Sequence, residues 1–102
     1  MIPLKTVEEL ITKHSSLEKD LSSGELDKKL FAEKSKEYSD VNEIVGIAKD
    51  YISFQKEKEE LEKILNDSSV DEELKKMAEL ELVELQNKHE ANEKKLKLFL
   101  LP

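Results

Sequence analysis

Apolar residues in the middle of the chain return at alternating steps of three and four. In DVNEIVGIAKDYISFQKEKEELEKIL, Asp40 to Leu65, they are Ile44, Ile47, Tyr51, Phe54, Leu61 and Leu65, with Lys58 the one interruption. That spacing lines a single stripe of an α-helix. Val41, Val45, Ala48 and Ile52 form a second line beside it over the first half. The apolar face is therefore broad at its start and narrow at its end. A broad face suits two neighbours, and a narrow one suits a single coiled-coil partner. This segment is expected to be the spine against which the rest of the chain packs.

Upstream, Met1 to Lys5 is a short lead-in. Thr6 and Glu9 have capping-box spacing, hydroxyl to a backbone N–H and carboxylate back to the cap. Val7, Leu10, His14, Leu17 and Leu21 follow at helical steps, with Ile11 widening the stripe. They predict a helix over about 6–21. Ser22-Ser23-Gly24 stops it, because glycine can enter the left-handed conformation at a helix end. Asp27 can cap a second helix, about 27–39, with Leu30, Phe31 and Tyr38 as its apolar positions and Lys34 and Lys36 facing out. Ser39-Asp40 is a weak point, and Asp40 with Glu43 again has capping-box spacing. A break or bend is expected there, the alternative being one long kinked helix to Leu65. Gly46 costs up to ~1 kcal/mol relative to alanine. It either admits a close backbone approach or is simply tolerated.

Asn66-Asp67-Ser68-Ser69 reads as the clearest turn, with Ser69 and Glu72 spaced as a capping box. The last helix should run from Val70 or Asp71 to about Leu100. Its seam is Leu74, Ala78, Leu82, Leu85, His89, Asn92, Leu96 and Phe99. Leu80 and Val83 lie off that seam, and core packing in a bundle is preferred over a partner contact for them. Glu59 with Lys63, Glu84 with Lys88 and Glu90 with Lys94 stand four apart, each pair worth ~0.2–0.5 kcal/mol. The short turn makes the spine and the last helix antiparallel neighbours. The predicted fold is all-α, one domain over 1–102. It is an antiparallel helical hairpin (about 40–65 and 70–100) of about seven turns per arm. The N-terminal helices (about 6–21 and 27–39) pack along it. The apolar ending Leu98-Phe99-Leu100-Leu101-Pro102 is expected to lead into a further domain.

Composition narrows the function. Of 102 residues, 40% are charged, 5% are aromatic, and only two are glycine and two proline. Such a chain with helical periodicity suits a helical bundle or coiled coil. The stripes argue against disorder, the competing reading of so charged a sequence. Net charge is −7, and all seventeen basic residues are lysine. Without arginine there is no bidentate fork for phosphates or guanine edges. An acidic, aromatic-poor domain is a poor candidate for direct nucleic-acid binding. Any work near RNA should proceed through protein contacts. The absence of cysteine removes disulfide and thiolate chemistry. No apolar run is long enough for a signal core or a bilayer span. A bacterial cytoplasm is the simplest compartment.

Candidate chemistry is sparse. His14 and His89 are the only histidines, and both fall in apolar seams. A shared metal or pH-sensitive site is one reading. Polar seam residues that help set register are the preferred one, since two histidines without a third ligand make a weak zinc site. Asn92, one step along, fits the register idea. Acidic clusters such as Glu57-Glu59-Glu60-Glu62 read as solvated helix faces, because nothing apolar surrounds them to shift a pKa. Tyr38, Tyr51 and the three phenylalanines read as core rather than stacking platforms. There is no glycine-rich phosphate loop, nucleophile triad or metal-ligand helix motif. No catalytic, cofactor-binding or metal-binding residue is assigned.

Three stretches carry a resemblance. FAEKSKEYSDVNEIV, the helix DYISFQKEKEELEKILND with its turn, and DEELKKMAELELVELQNKHEANEKKLKLFLLP follow one another in this order. Together the chain resembles the N-terminal domain of the bacterial peptide chain release factor 1 family over essentially its whole length. The LLLP-like ending is the most telling feature. The sister factor that reads the other stop-codon set is similar here but usually ends the domain differently. The resemblance implies a helical interaction module of a translation-termination factor. The full-length factor would enter the ribosomal A site, recognise UAA or UAG and trigger peptidyl-tRNA hydrolysis. Family codon choice depends on a Pro-x-Thr type motif and hydrolysis on Gly-Gly-Gln. Neither is present, since Gly24 and Gly46 are far apart and neither Pro3 nor Pro102 begins such a motif. The implied partners are the ribosome, at its GTPase-associated region, and the recycling release-factor GTPase. Neither membrane nor sequence-specific nucleic acid is implied for this domain. The alternative function is a free-standing structural coiled-coil or chaperone-like protein that dimerises through its seams.

Overall fold

The computed structural model describes residues 1–102 as three helices, α1 (Leu4–Ser22), α2 (Lys28–Asn66) and α3 (Glu72–Leu100), with no strand. The all-α fold agrees with the periodicity. No helix is long and apolar enough to cross a membrane.

The first helix starts two residues earlier than expected. Pro3 occupies the N-cap, and its carbonyl accepts from the Thr6 and Val7 amides at 3.1 and 3.3 Å. The Thr6–Glu9 capping box does not form, because both residues already lie inside the helix. Proline's restricted φ suits a helix start. The lead-in is also anchored from the other side. Ile2 is only 5% exposed, and its amide donates to Tyr51 Oη at 3.2 Å. Val7, Leu10 and Leu17 are buried, while Ile11, His14 and Leu21 are half-buried, as their spacing required. Gly24 ends the α1 connection with φ of 74°, the left-handed conformation anticipated from the sequence.

Asp27 caps α2 through its side chain, Oδ1 accepting from the Leu30 amide at 2.8 Å. The expected break at Ser39-Asp40 is absent. α2 runs unbroken for 39 residues, so 27–39 is not a separate helix and the molecule has three helices rather than four. Serine and aspartate each cost only about half a kcal/mol in a helix interior. A break would release several backbone hydrogen bonds beside Val41, Ile44 and Val45, all buried. The segment is also tied to α1 on the near side, by Lys34 Nζ to Asp20 Oδ2 and Lys13 Nζ to Glu37 Oε1, both 2.6 Å. Ser39 and Asp40 simply face water, and no Asp40–Glu43 box forms. Gly46 is exposed, and a Cβ there would meet nothing within 4 Å, so no backbone approaches it.

The turn falls at Asn66–Ser69 as predicted, but the cap of α3 does not. Asp67 Oδ1 accepts from both the Ser69 amide (2.9 Å) and the Ser69 hydroxyl (2.6 Å). That Asx turn consumes Ser69. Asp71 caps instead, Oδ1 accepting from the Leu74 amide at 2.8 Å, and Glu72 and Glu73 sit favourably in the first turn. The two hydrogen bonds from Ser69 hold the Asp67 carboxyl below its ordinary value.

α1 and α3 both run antiparallel to α2, on different stretches of it. Lys13 meets Glu37 while Asp20 meets Lys34, and Asp50 meets Lys88 at 3.1 Å on the other side. The molecule is therefore a long rod of 61 × 28 × 19 Å. Its core lies where all three helices overlap. Ile2, Val7, Leu10, Ile44, Ala48, Tyr51 and Leu96 form one cluster, flanked by Ile11, Ile47 and Ile52. This matches the broad front and narrow back of the spine. Of the three i,i+4 pairs, none closes, and Lys88 turns to Asp50 across the interface instead.

Candidate functional site

The two histidines occupy different interfaces. His14 sits between α1 and α2, where Nε2 donates to Asn42 Oδ1 at 2.8 Å and the ring stacks on Tyr38 at 4.8 Å. His89 sits between α2 and α3, stacked on Phe54 with centroids 3.7 Å apart and edge-on to Tyr51 at 4.6 Å. They share no site. Burial pushes the His89 ring below its ordinary pKa, opposed by the nearby carboxylates of Glu93 and Glu90. Its Nδ1 is buried without a hydrogen-bond partner. A neutral ring tolerates that position far better than a cation. Asn92, one step further along the same seam, is buried. Glu93 binds the amino terminus at 3.0 Å and Lys97 at 3.1 Å, which lowers its pKa. No group of three or more His, Cys, Asp or Glu side chains is arranged to hold a metal ion.

What the rod offers is surface. Leu80 and Val83 are 68% and 56% exposed on the outer face of α3. The expectation that they pack in the core is overturned. They lie opposite the Ala78–Leu85–Leu96 seam, and the bundle has no helix on that side. Phe31 and Phe99 also differ from the core reading: both are exposed, whereas Tyr51 is buried and Tyr38 and Phe54 are half-buried. Toward the turn, residues of both arms of the hairpin line an open cleft of about 430 Å³. Leu61, Ile64 and Leu85 line it together with Glu57, Glu60, Glu81 and Glu84. Sequence reading put the α2 carboxylates on a solvated face. That is correct for each helix alone, but only the hairpin register sets them opposite the α3 pair. Pairing the two arms outward from the turn was the signal that could have found the cleft.

The chain is an elongated three-helix rod with a small core and with apolar and acidic patches along its flanks. The chain belongs to the PCRF domain family, which matches residues 10–102. Peptide chain release factor 1 of Pelagibacter ubique (strain HTCC1062) is 67% identical over all 102 residues, which make up 29% of that relative. The match lies in the relative's N-terminal part. Peptide chain release factor 1 of Ehrlichia ruminantium (strain Gardel) is 39% identical over 72 residues, 71% of this chain and 20% of the relative. The corresponding factor of Rhizobium rhizogenes (strain K84 / ATCC BAA-868) is 30% identical over 101 residues, 99% of this chain and 28% of the relative. The chain thus spans less than a third of the length of the curated relatives it matches. No solved structure matches it.

Proposed function

We propose that this chain serves as the N-terminal interaction module of a release factor 1 type translation-termination factor. In this reading the whole protein works in the cytoplasm, recognises UAA and UAG in the ribosomal A site and promotes peptidyl-tRNA hydrolysis. The module contributes protein contacts, toward the GTPase-associated region of the ribosome and to the GTPase that recycles the factor. The observation that carries the reading is the 67% identity over all 102 residues to the N-terminal part of a release factor 1. The chemistry is compatible. A net charge of −7 without arginine disfavours an RNA interface and suits protein surfaces. Gly24 and Gly46 stand apart, so no Gly-Gly-Gln lies within these residues, and the hydrolytic step is assigned outside them. A free-standing coiled coil that dimerises through its seams has less support, because Ala78, Asn92 and Leu96 are already buried within one chain.

A chimera tests the proposal. Residues 1–102 replace the matching part of the Pelagibacter ubique factor, and peptide release is measured on ribosomes programmed with UAA, UAG and a sense codon. The expected result is release at both stop codons at the parent's rate, with none from the isolated chain. A chimera that folds but neither binds ribosomes nor releases peptide would sink the reading. So would a stop codon directly after Pro102 in the natural reading frame.

A further inference from the structure

The cleft near the hairpin turn has a chemistry of its own. Leu61, Ile64 and Leu85 form a half-buried apolar floor. Glu57 and Glu60 of α2 and Glu81 and Glu84 of α3 rise on either side, all exposed. None of the four takes part in any of the molecule's ion pairs. The one cation in the lining, Lys88, is held by Asp50 at 3.1 Å. Four carboxylates without an ion-pair partner thus line one trough from both arms, Glu57 also accepting from the Ser53 hydroxyl at 3.0 Å. Leu74 and Met77, 45% and 54% exposed, stand seven and four residues before Glu81 and continue the same side of α3 toward the turn.

We infer that this cleft docks a short basic amphipathic helix of a protein partner, with an apolar ridge on the floor and lysines or arginines against the two glutamate rims. The inference rests on the cleft alone and does not depend on the termination reading. Charge complementarity selects the occupant. A nucleic acid would bring phosphates against four carboxylates. A second copy in a two-fold pair would set each acidic rim against itself. The lining residues on each arm cover about two helical turns, roughly 10 Å, so the partner ridge needs only apolar positions at i, i+3 or i+4, and i+7. An interface this short belongs with weak, transient contacts.

Three synthetic peptides of equal length provide the probes. One carries a leucine ridge flanked by lysines, one the same lysines with serine in the ridge, and one the leucine ridge with glutamate flanks. Each is titrated into the 15N-labelled chain and followed by amide shifts and fluorescence anisotropy. The expected result is saturable binding of the first peptide, with shifts centred on Leu61, Ile64, Glu81 and Leu85. The serine peptide should bind roughly tenfold more weakly, and the glutamate peptide not at all. The combined variant Glu57→Gln, Glu60→Gln, Glu81→Gln, Glu84→Gln keeps side-chain shape and should weaken binding by about tenfold. The control Glu8→Gln, Glu9→Gln, Glu25→Gln, Glu33→Gln removes the same charge elsewhere and should leave binding intact. Equal weakening by both variants, shifts centred on another face, or no binding would overturn the inference. So would an RNA oligonucleotide or a second copy of the chain occupying the same residues.

Discussion

Gly24 and Gly46 ask opposite things of a side chain. Gly24 has a φ of 74°, where any Cβ is strained, although a Cβ there would meet no atom within 4 Å. Gly24→Ala should therefore destabilise the chain by about 1–2 kcal/mol. Gly46 lies inside α2 with open space around it, so Gly46→Ala should stabilise by about 0.5–1 kcal/mol. Urea denaturation of the two variants checks both signs. His89 makes a prediction in pH. Its folded pKa lies below the ordinary 6.5, because burial disfavours the cation. The unfolded chain then binds more protons below that value. Stability is complete above about pH 6.5 and declines as pH falls beneath it. Asp50 and Glu57 of α2 border the same pocket, with Lys88 of α3, and Glu90 and Glu93 act on the ring from α3. Glu93 and Asp67, whose pKa values are lowered from 4.5 and 3.8, lose their contributions only in a more acid range. Urea midpoints should fall between about pH 7.5 and 5.5 in the parent, and His89→Phe should flatten that slope.

Helix boundaries follow a competition between local signals and neighbours. Ser39-Asp40 has the composition of a cap, yet its amides stay in the helix because the residues on either side are held by α1 and by the core. Ser39→Pro discriminates the two geometries. In an unbroken α2 it should cost about 3 kcal/mol or more, whereas at a helix junction it would be tolerated. Loss of helical circular dichroism and a lowered melting temperature are the readouts. At the start of α3 the expected cap, Ser69, and the observed one, Asp71, stand two residues apart. Asp71 accepts from Leu74, while Ser69 is engaged by Asp67. Asp71→Ala should cost about 1 kcal/mol and Ser69→Ala under about 0.5 kcal/mol. Faster exchange of the Leu74 amide only in the Asp71 variant is the local check.

At the scale of the molecule, one cluster holds three helices together. Leu96 is fully buried and joins α3 to Val7 and Leu10 of α1 through Ile44, Ala48 and Tyr51 of α2. Leu96→Ala should cost about 2–5 kcal/mol, the range for a large-to-small change in a core. So small a core has little reserve, and chemical denaturation should show the variant largely unfolded at ambient temperature. The same concentration makes stability uneven. Amides of α2 from Val41 to Tyr51 should exchange slowest, and those flanking the turn at Asn66–Ser69 fastest, because buried residues become scarce toward that end. Hydrogen exchange by NMR reads this directly.

The seam positions, the Asp27 cap, the Gly24 stop and the turn at Asn66–Ser69 were all written in local spacing. Each depends on residues within a few positions of one another, and backbone geometry makes such neighbours meet whatever the rest of the chain does. The choice of Asp71 over Ser69 is also local, set by Asp67 two residues before Ser69. The unbroken α2, the exposure of Leu80 and Val83 and the cleft itself were decided only in the tertiary structure. These three turn on what lies alongside: whether a neighbour supports a weak helical residue, and whether a helix covers a given face. The pattern of one strand of sequence shows that a face is apolar or charged. Only the register between separate helices determines which faces meet and which remain in water.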